Sequence, residues 1–224
     1  MIRSFKSLLA LALLLSCLAA AAQTDTVKSP TVGQPDVGSR TILGITLGQA
    51  NLAQVQAKFG PAKLWRDGDA STAEMKVCYL SAEPDAVAIV FASNAEMAGP
   101  PENQVTDIRI VELAAYKDRS NCRNLTIPGN EVTTTNGLGL GLTRQRVRSI
   151  LGAPTSIAGS TWEYSWDVDV PIPPTDKSYQ YWLDRKDECF EGKKPFFTVN
   201  SGIALRFAGD KVVSLNLSRT ESIC

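Results

Sequence analysis

Apolar and polar positions along the chain fall into two patterns, and each pattern occurs twice in the same order. The first is a short stripe with helical spacing: Leu52, Val55 and Phe59 between Asn51 and Gly60, and Val147, Ile150 and Leu151 between Thr143 and Gly152. Asn51 and Thr143 carry side-chain oxygens suited to cap a helix N-terminus. Gly60 and Gly152 can take the left-handed conformation that ends one, with Pro61 and Pro154 close behind. Each stripe therefore predicts a short helix. The second pattern is strict alternation, as in half-buried strands: Met75 to Tyr79, Val87 to Ala92 and Val105 to Ile110 in the first half, then Trp162 to Trp166, Ile203 to Ala208 and Val212 to Leu217 in the second.

The shared order predicts an α+β fold of two tandem repeats, each a helix followed by a three-stranded antiparallel meander. Module 1 is placed at 41–123, a Thr/Asn/Gly/Pro-rich linker at 124–136 and module 2 at 137–224. Gly209-Asp210 reads as a tight hairpin turn, which the Pro/Gly-rich segment 96–104 expands in the first module. Module 2 differs mainly by an insertion, 167–201, expected to be a loop and, at that length, either functional or mobile.

Ahead of the modules, Arg3 and Lys6, the apolar run Leu8 to Leu15 and the small residues Ala19 to Ala22 form the pattern of a secretory signal peptide, 1–22. The apolar run is too short to span a bilayer. Leu14-Leu15-Ser16-Cys17 also resembles a lipobox, so acylation of Cys17 is the alternative to cleavage after Ala22. Residues 23–40, rich in Thr, Ser, Pro, Gly and Asp, read as a mobile tether. The reading implies a periplasmic or secreted protein, or an outer-membrane lipoprotein if Cys17 is acylated.

Lys plus Arg equals Asp plus Glu at 23 each, so nothing in the charge balance points to nucleic acid, and a membrane enters only through Cys17. Beyond Cys17 lie Cys78, Cys122, Cys189 and Cys224, an even number that reads as two disulfides with three pairings open. The repeat favours pairing within each module, Cys78 with Cys122 and Cys189 with Cys224, because the second cysteine of each pair follows the last strand of its copy. With no Cys-x-x-Cys spacing and no histidine, a metal site is not expected.

The segment Gly-Leu-Thr143-Arg-Gln-Arg-Val147 to Leu151-Gly152-Ala-Pro154, followed by Trp162-Glu-Tyr164, resembles the signature of the SmpA/OmlA (BamE) envelope-lipoprotein module. Two such modules in tandem resemble the architecture of β-lactamase inhibitory protein. The resemblance implies one continuous antiparallel sheet with helices on one face and an exposed face that binds other proteins.

The absence of histidine rules out Ser-His-Asp and Cys-His nucleophile systems. Glu163, Asp167, Asp169 and Glu188 could in principle pair as catalytic carboxylates, but in strands and loops such groups are usually solvated charges. Gly137-Leu-Gly139-Leu-Gly141 lacks the lysine and hydroxyl residue of a phosphate loop. Aromatic residues are the more informative group: Trp162, Tyr164 and Trp166 on one strand face, and Tyr179, Tyr181 and Trp182 in the insertion. Either the first three pack on the helix or all six anchor a protein interface. The expected function is thus a non-catalytic protein-binding module with no cofactor, whose partner is another envelope or extracellular protein. The alternative is a lipid-anchored outer-membrane scaffold.

Overall fold

The short helices end where the capping chemistry predicts. In the computed structural model, which describes residues 35–69, 73–94, 103–176, 179–184 and 194–222, a hairpin of β1 (Thr41–Ile42) and β2 (Ile45–Thr46) leads into α1 (Leu52–Phe59). The Asn51 side chain accepts from the Gln54 N–H, and the Gln54 side chain accepts from the Asn51 N–H, both at 2.9 Å. This reciprocal cap is worth about 1 kcal/mol. Gly60 ends the helix at φ +89°, donating to Gln56 O at 2.8 Å. The strands β3 (Trp65–Asp67), β4 (Glu74–Ala82), β5 (Val87–Asn94), β6 (Asp107–Glu112) and β7 (Arg123–Pro128) follow.

The second half repeats these moves. Thr143 caps α2 (Arg144–Leu151), its hydroxyl accepting from the Arg146 N–H at 3.2 Å, and Gly152 ends it at φ +81°. Then come β8 (Ser156–Ala158), β9 (Thr161–Pro171), α3 (Tyr179–Asp184), β10 (Phe196–Ala208) and β11 (Lys211–Ser222). The strands order as β3-β4-β5-β6-β11-β10-β9-β8, with β7 parallel to β4 and the remaining neighbours antiparallel. β6 and β11 join the halves through pairs such as Arg109 with Asn216. The chain is therefore an α+β protein built on one large, mainly antiparallel sheet.

α1 and α2 lie on one face of that sheet. Leu52 and Val55 of α1 and Val147 of α2 share a single buried core with Val77, Tyr79, Ile89, Phe91, Ile108, Ile110, Leu205, Leu215 and Leu217. Each such side chain contributes roughly 1.5–3 kcal/mol by leaving water. Phe59 closes the α1 end, edge-on to Tyr79 at 5.4 Å and stacked on Phe91 at 6.0 Å.

Four sequence expectations need correction. Val37–Arg40, assigned to the 23–40 tether, form a 3-10 turn with Ser39 and Arg40 buried. Part of the 124–136 linker is β7, held in the sheet by β4. The insertion is not a loop at its ends, because β9 and β10 pair from Thr161 with Arg206 to Pro171 with Phe196. Cross-strand bonds from Asn200 Nδ2 to Asp167 and from Thr198 Oγ1 to Asp169, at 2.6 and 2.9 Å, stabilise this polar stretch that alternation alone does not flag. The far face, expected to be open, is closed over the first half, where Ala88, Val90 and Ala92 are buried. Cys78 on that face is bonded to Cys122, which brings the segment after β6 against it. Over β9, β10 and β11 the far face is partly exposed, and there it is lined by small residues such as Ser165, Gly202, Ala204 and Ser218.

Candidate functional site

The cap at Thr143 starts α2 at Arg144, and four residues on, one turn along the same side, stands Arg148. Beneath them β9 presents Trp162 and β10 presents Phe207, rings 5.0 Å apart. The Arg144 guanidinium carbon lies 4.4 Å from the Phe207 ring centre and 5.7 Å from that of Trp162, and that of Arg148 lies 4.9 Å from Trp162. Cation–π contacts of this kind contribute about 0.5–1 kcal/mol each at exposed sites. Their larger consequence is geometric, since the arginines are laid flat on an aromatic floor. Arg144 is also tied to the β10–β11 turn through the Gly209 carbonyl, and its Nη1 lies 3.8 Å from Asp210 Oδ1.

Arg144, Arg148, Trp162 and Asp210 line a groove of about 620 Å³, completed by Gln145, Gly159 and Ile157, which is 41% exposed. An apolar wall, two cations and one carboxylate suit a partner that offers an acidic group beside an apolar one. The i,i+4 arginines in Thr143-Arg-Gln-Arg-Val147-Arg were visible in the sequence, but their aromatic floor required the pairing of Trp162 with Leu205, two residues from Phe207 on the same face.

The six aromatics singled out in the sequence do not form one surface. Trp162 and Tyr164 are core residues, 5% and 3% exposed, and are not open-face anchors. They point to the helix side because they alternate in phase with Ile203 and Leu205 across the β9–β10 pairing. Tyr164 donates its hydroxyl to Gly152 O at 3.3 Å, and burial pushes its pKa up to about 12. Trp166 is half-buried and stacks on Tyr164 at 6.2 Å. Tyr179, Tyr181 and Trp182 sit on α3, where Tyr181 is 52% exposed and meets Trp182 edge-on at 4.9 Å.

Of the cysteines, Cys78 and Cys122 form a disulfide, while Cys17, Cys189 and Cys224 lie outside the described residues. Among the described residues no three His, Cys, Asp or Glu side chains converge as metal ligands. Glu163 accepts from Ser156 Oγ at 2.8 Å, and Asp167 and Asp169 are engaged by β10. On the far face of the first half, Glu74 bridges Lys76 at 2.9 Å and Arg109 at 2.5 Å, and Arg109 reaches Asp107 at 3.3 Å. Burial works against the Glu74 carboxylate, but the bonds from Arg109 and Lys76 hold its pKa below the ordinary value. Burial raises that of Asp107.

Compared with protein-family models, with curated proteins and with solved structures, the chain gives no significant match.

Proposed function

We propose that the chain is an exported, non-catalytic protein-binding module built from two diverged copies of one SmpA/OmlA-like unit, in an arrangement like that of β-lactamase inhibitory protein. The duplication is supported by relationships that recur at matched positions. Tyr79 and Tyr164 both donate to the carbonyl of the glycine ending their helix. The Gly48 and Gly141 N–H groups donate to Val105 O and Val212 O, and those valines donate back to Ala50 O and Leu142 O. Sheet order mirrors about the β6–β11 seam. Export is supported by the residue pattern of 1–22 and by the Cys78–Cys122 disulfide, which belongs in an oxidising compartment.

The observation that carries the binding function is the groove, where Arg144 and Arg148 rest on Trp162 with Ile157 exposed at the side. Arginines held against aromatic rings lose little further freedom on binding, which makes them effective interface anchors. The partner is another envelope or extracellular protein. The test is to recover a partner from envelope extract, purify it, and measure Kd against wild type, Arg144→Ala and Arg148→Ala. Losses of about 1–3 kcal/mol per arginine are expected, and unchanged affinity in both variants would remove the groove from the interface.

The second reading, a lipid-anchored outer-membrane scaffold, is favoured by Leu14-Leu15-Ser16-Cys17. Intact mass of the exported protein separates the two, since a start at Gln23 supports the first and a diacylated start at Cys17 the second.

A further inference from the structure

β9 is paired with β10 from Thr161 to Pro171, but on its other side β8 pairs with Thr161, Trp162 and Glu163. Backbone groups of an antiparallel strand point alternately to its two sides, and three bonds fix the alternation here. Ser160 O accepts from the Phe207 N–H and the Ile172 N–H donates to Pro195 O, both toward β10, whereas Glu163 O accepts from the Thr155 N–H on the β8 side. Even-numbered positions therefore face β10 and odd-numbered ones face outward. Past the Ser165 N–H, which donates to Thr155 Oγ1 at 3.1 Å, the outward groups are the N–H of Asp167 and Asp169 and the carbonyls of Ser165, Asp167, Asp169 and Pro171. Among the described residues no strand or backbone group pairs with them. Pro171 falls at an outward position, where its missing N–H forfeits no bond to β10.

An open edge is a template for a further strand, and its side chains decide which strand it accepts. Side chains alternate too, so the stretch 166–171 offers two different rows. Asp167 and Asp169 are exposed on one face, bonded on β10 to the neutral Asn200 and Thr198 side chains at 2.6 and 2.9 Å. Each carboxylate keeps a second oxygen for another donor. On the opposite face stand Trp166 and Val168, half-buried, and Val170, 38% exposed. Two copies of this chain meeting edge to edge would set the carboxylates against one another, which is unfavourable. A strand bearing cations would instead complement them.

We propose that the 166–171 edge of β9 takes up an extended segment of a partner protein as an additional strand. That segment carries Lys or Arg at alternate positions facing Asp167 and Asp169, with apolar residues between them facing Val168 and Val170. The surface is separate from the groove beside α2, because Trp162 lies five residues before Asp167 on β9, roughly 17 Å along the strand. Main-chain bonds supply the attachment, and the alternating rows supply the selectivity.

The test titrates the full chain against short, end-capped, fluorescein-labelled peptides and reads fluorescence anisotropy. A peptide of alternating lysine and valine should bind at least about tenfold more tightly than one of alternating glutamate and valine, since opposite charges across a strand pair attract and like charges repel. Net charge alone would give that preference, so two further lysine–valine peptides carry N-methyl groups on the backbone of the lysines only or of the valines only. Those two sets of N–H groups lie on opposite edges of an extended peptide, so one methylated peptide should lose binding and the other should retain it. Asp167→Asn/Asp169→Asn, which keeps acceptors for Asn200 and Thr198, should bind the lysine–valine peptide at least about tenfold less tightly at a Tm close to that of wild type. Should that variant unfold, the methylated pair read on wild type decides alone. The inference is overturned by no binding of the lysine–valine peptide, by equal binding of the two methylated peptides, or by undiminished affinity in the folded asparagine variant. A concentration-dependent dimer of the chain that excludes the peptide would also overturn it, by making a second copy the occupant of the edge.

Discussion

Tyr79 donates its hydroxyl to the carbonyl oxygen of Gly60 at 2.9 Å, which ties the end of α1 to β4. The last carbonyls of a helix lack partners within it, so a buried helix end needs a donor from elsewhere. A tyrosine on β4, packed beside Phe59 and Phe91, supplies one without interrupting the apolar core. Tyr164 does the same for Gly152 in the second half, at the longer distance of 3.3 Å.

Removing either hydroxyl while keeping the ring isolates that bond. Tyr79→Phe should destabilise by about 1 kcal/mol and Tyr164→Phe by less, in keeping with its longer bond. Urea unfolding of both single variants and the double variant measures this. Because the two helix ends are separate, the effects should add, and strong non-additivity would show that the ends communicate.

The Cys78–Cys122 bridge ties the segment after β6 to β4 over a sequence separation of 44 residues. Replacing both cysteines by alanine should cost about 2–4 kcal/mol, the usual worth of a bridge over a loop of tens of residues. Denaturation midpoints of the double variant and of the reduced wild type should agree, unless other cysteines contribute.

The far-face charge network sets an acid-side pH dependence. Glu74 has a folded-state pKa below its unfolded value, so its contribution is fully present above about pH 4.5, and is lost as pH falls through the folded value. Asp107 is raised, so protonating it favours the folded state and works in the opposite direction as pH falls. Glu74→Gln should therefore flatten the acid side of the stability curve. Its deficit relative to wild type should be largest near neutral pH and shrink below pH 4.5. Asp107→Asn should instead gain relative to wild type as pH rises from the acid range. Denaturant midpoints taken across that range check both signs.

Both capped helices and the six principal strands were legible in the sequence because each signal is local: a cap, a glycine stop, or an alternation confined to one segment. What was not legible depended on partners distant in the chain. β7 is a strand only because β4 lies beside it in parallel, and the polar ends of β9 and β10 are ordered by bonds between Asp167 and Asn200. Likewise, alternation places Trp162 and Tyr164 on one face of β9 without saying which face meets the helices. The register with Ile203 and Leu205 settles that, and it places both residues in the core. The groove was half visible, since Arg144 and Arg148 can be read at helical spacing, whereas Phe207 joins them only once β10 is paired.

The last prediction separates anchors from core among the aromatics. Trp162 is 5% exposed and packs on Phe207, so Trp162→Ala should cost about 3–5 kcal/mol of stability and abolish binding by unfolding the floor of the groove. Tyr181 is 52% exposed on α3 and meets Trp182 edge-on, a contact it can lose without opening a cavity in the main core. Tyr181→Ala should therefore change stability by no more than about 0.5 kcal/mol. If α3 belongs to the interface, the same substitution should weaken partner binding by about 1–3 kcal/mol. Melting curves and partner titrations of both variants give the two readouts. A stable Tyr181→Ala variant with wild-type affinity would confine the interface to the Arg144–Arg148 groove. A large loss of stability would instead show that α3 packs as part of the folded structure and is not a free-standing anchor.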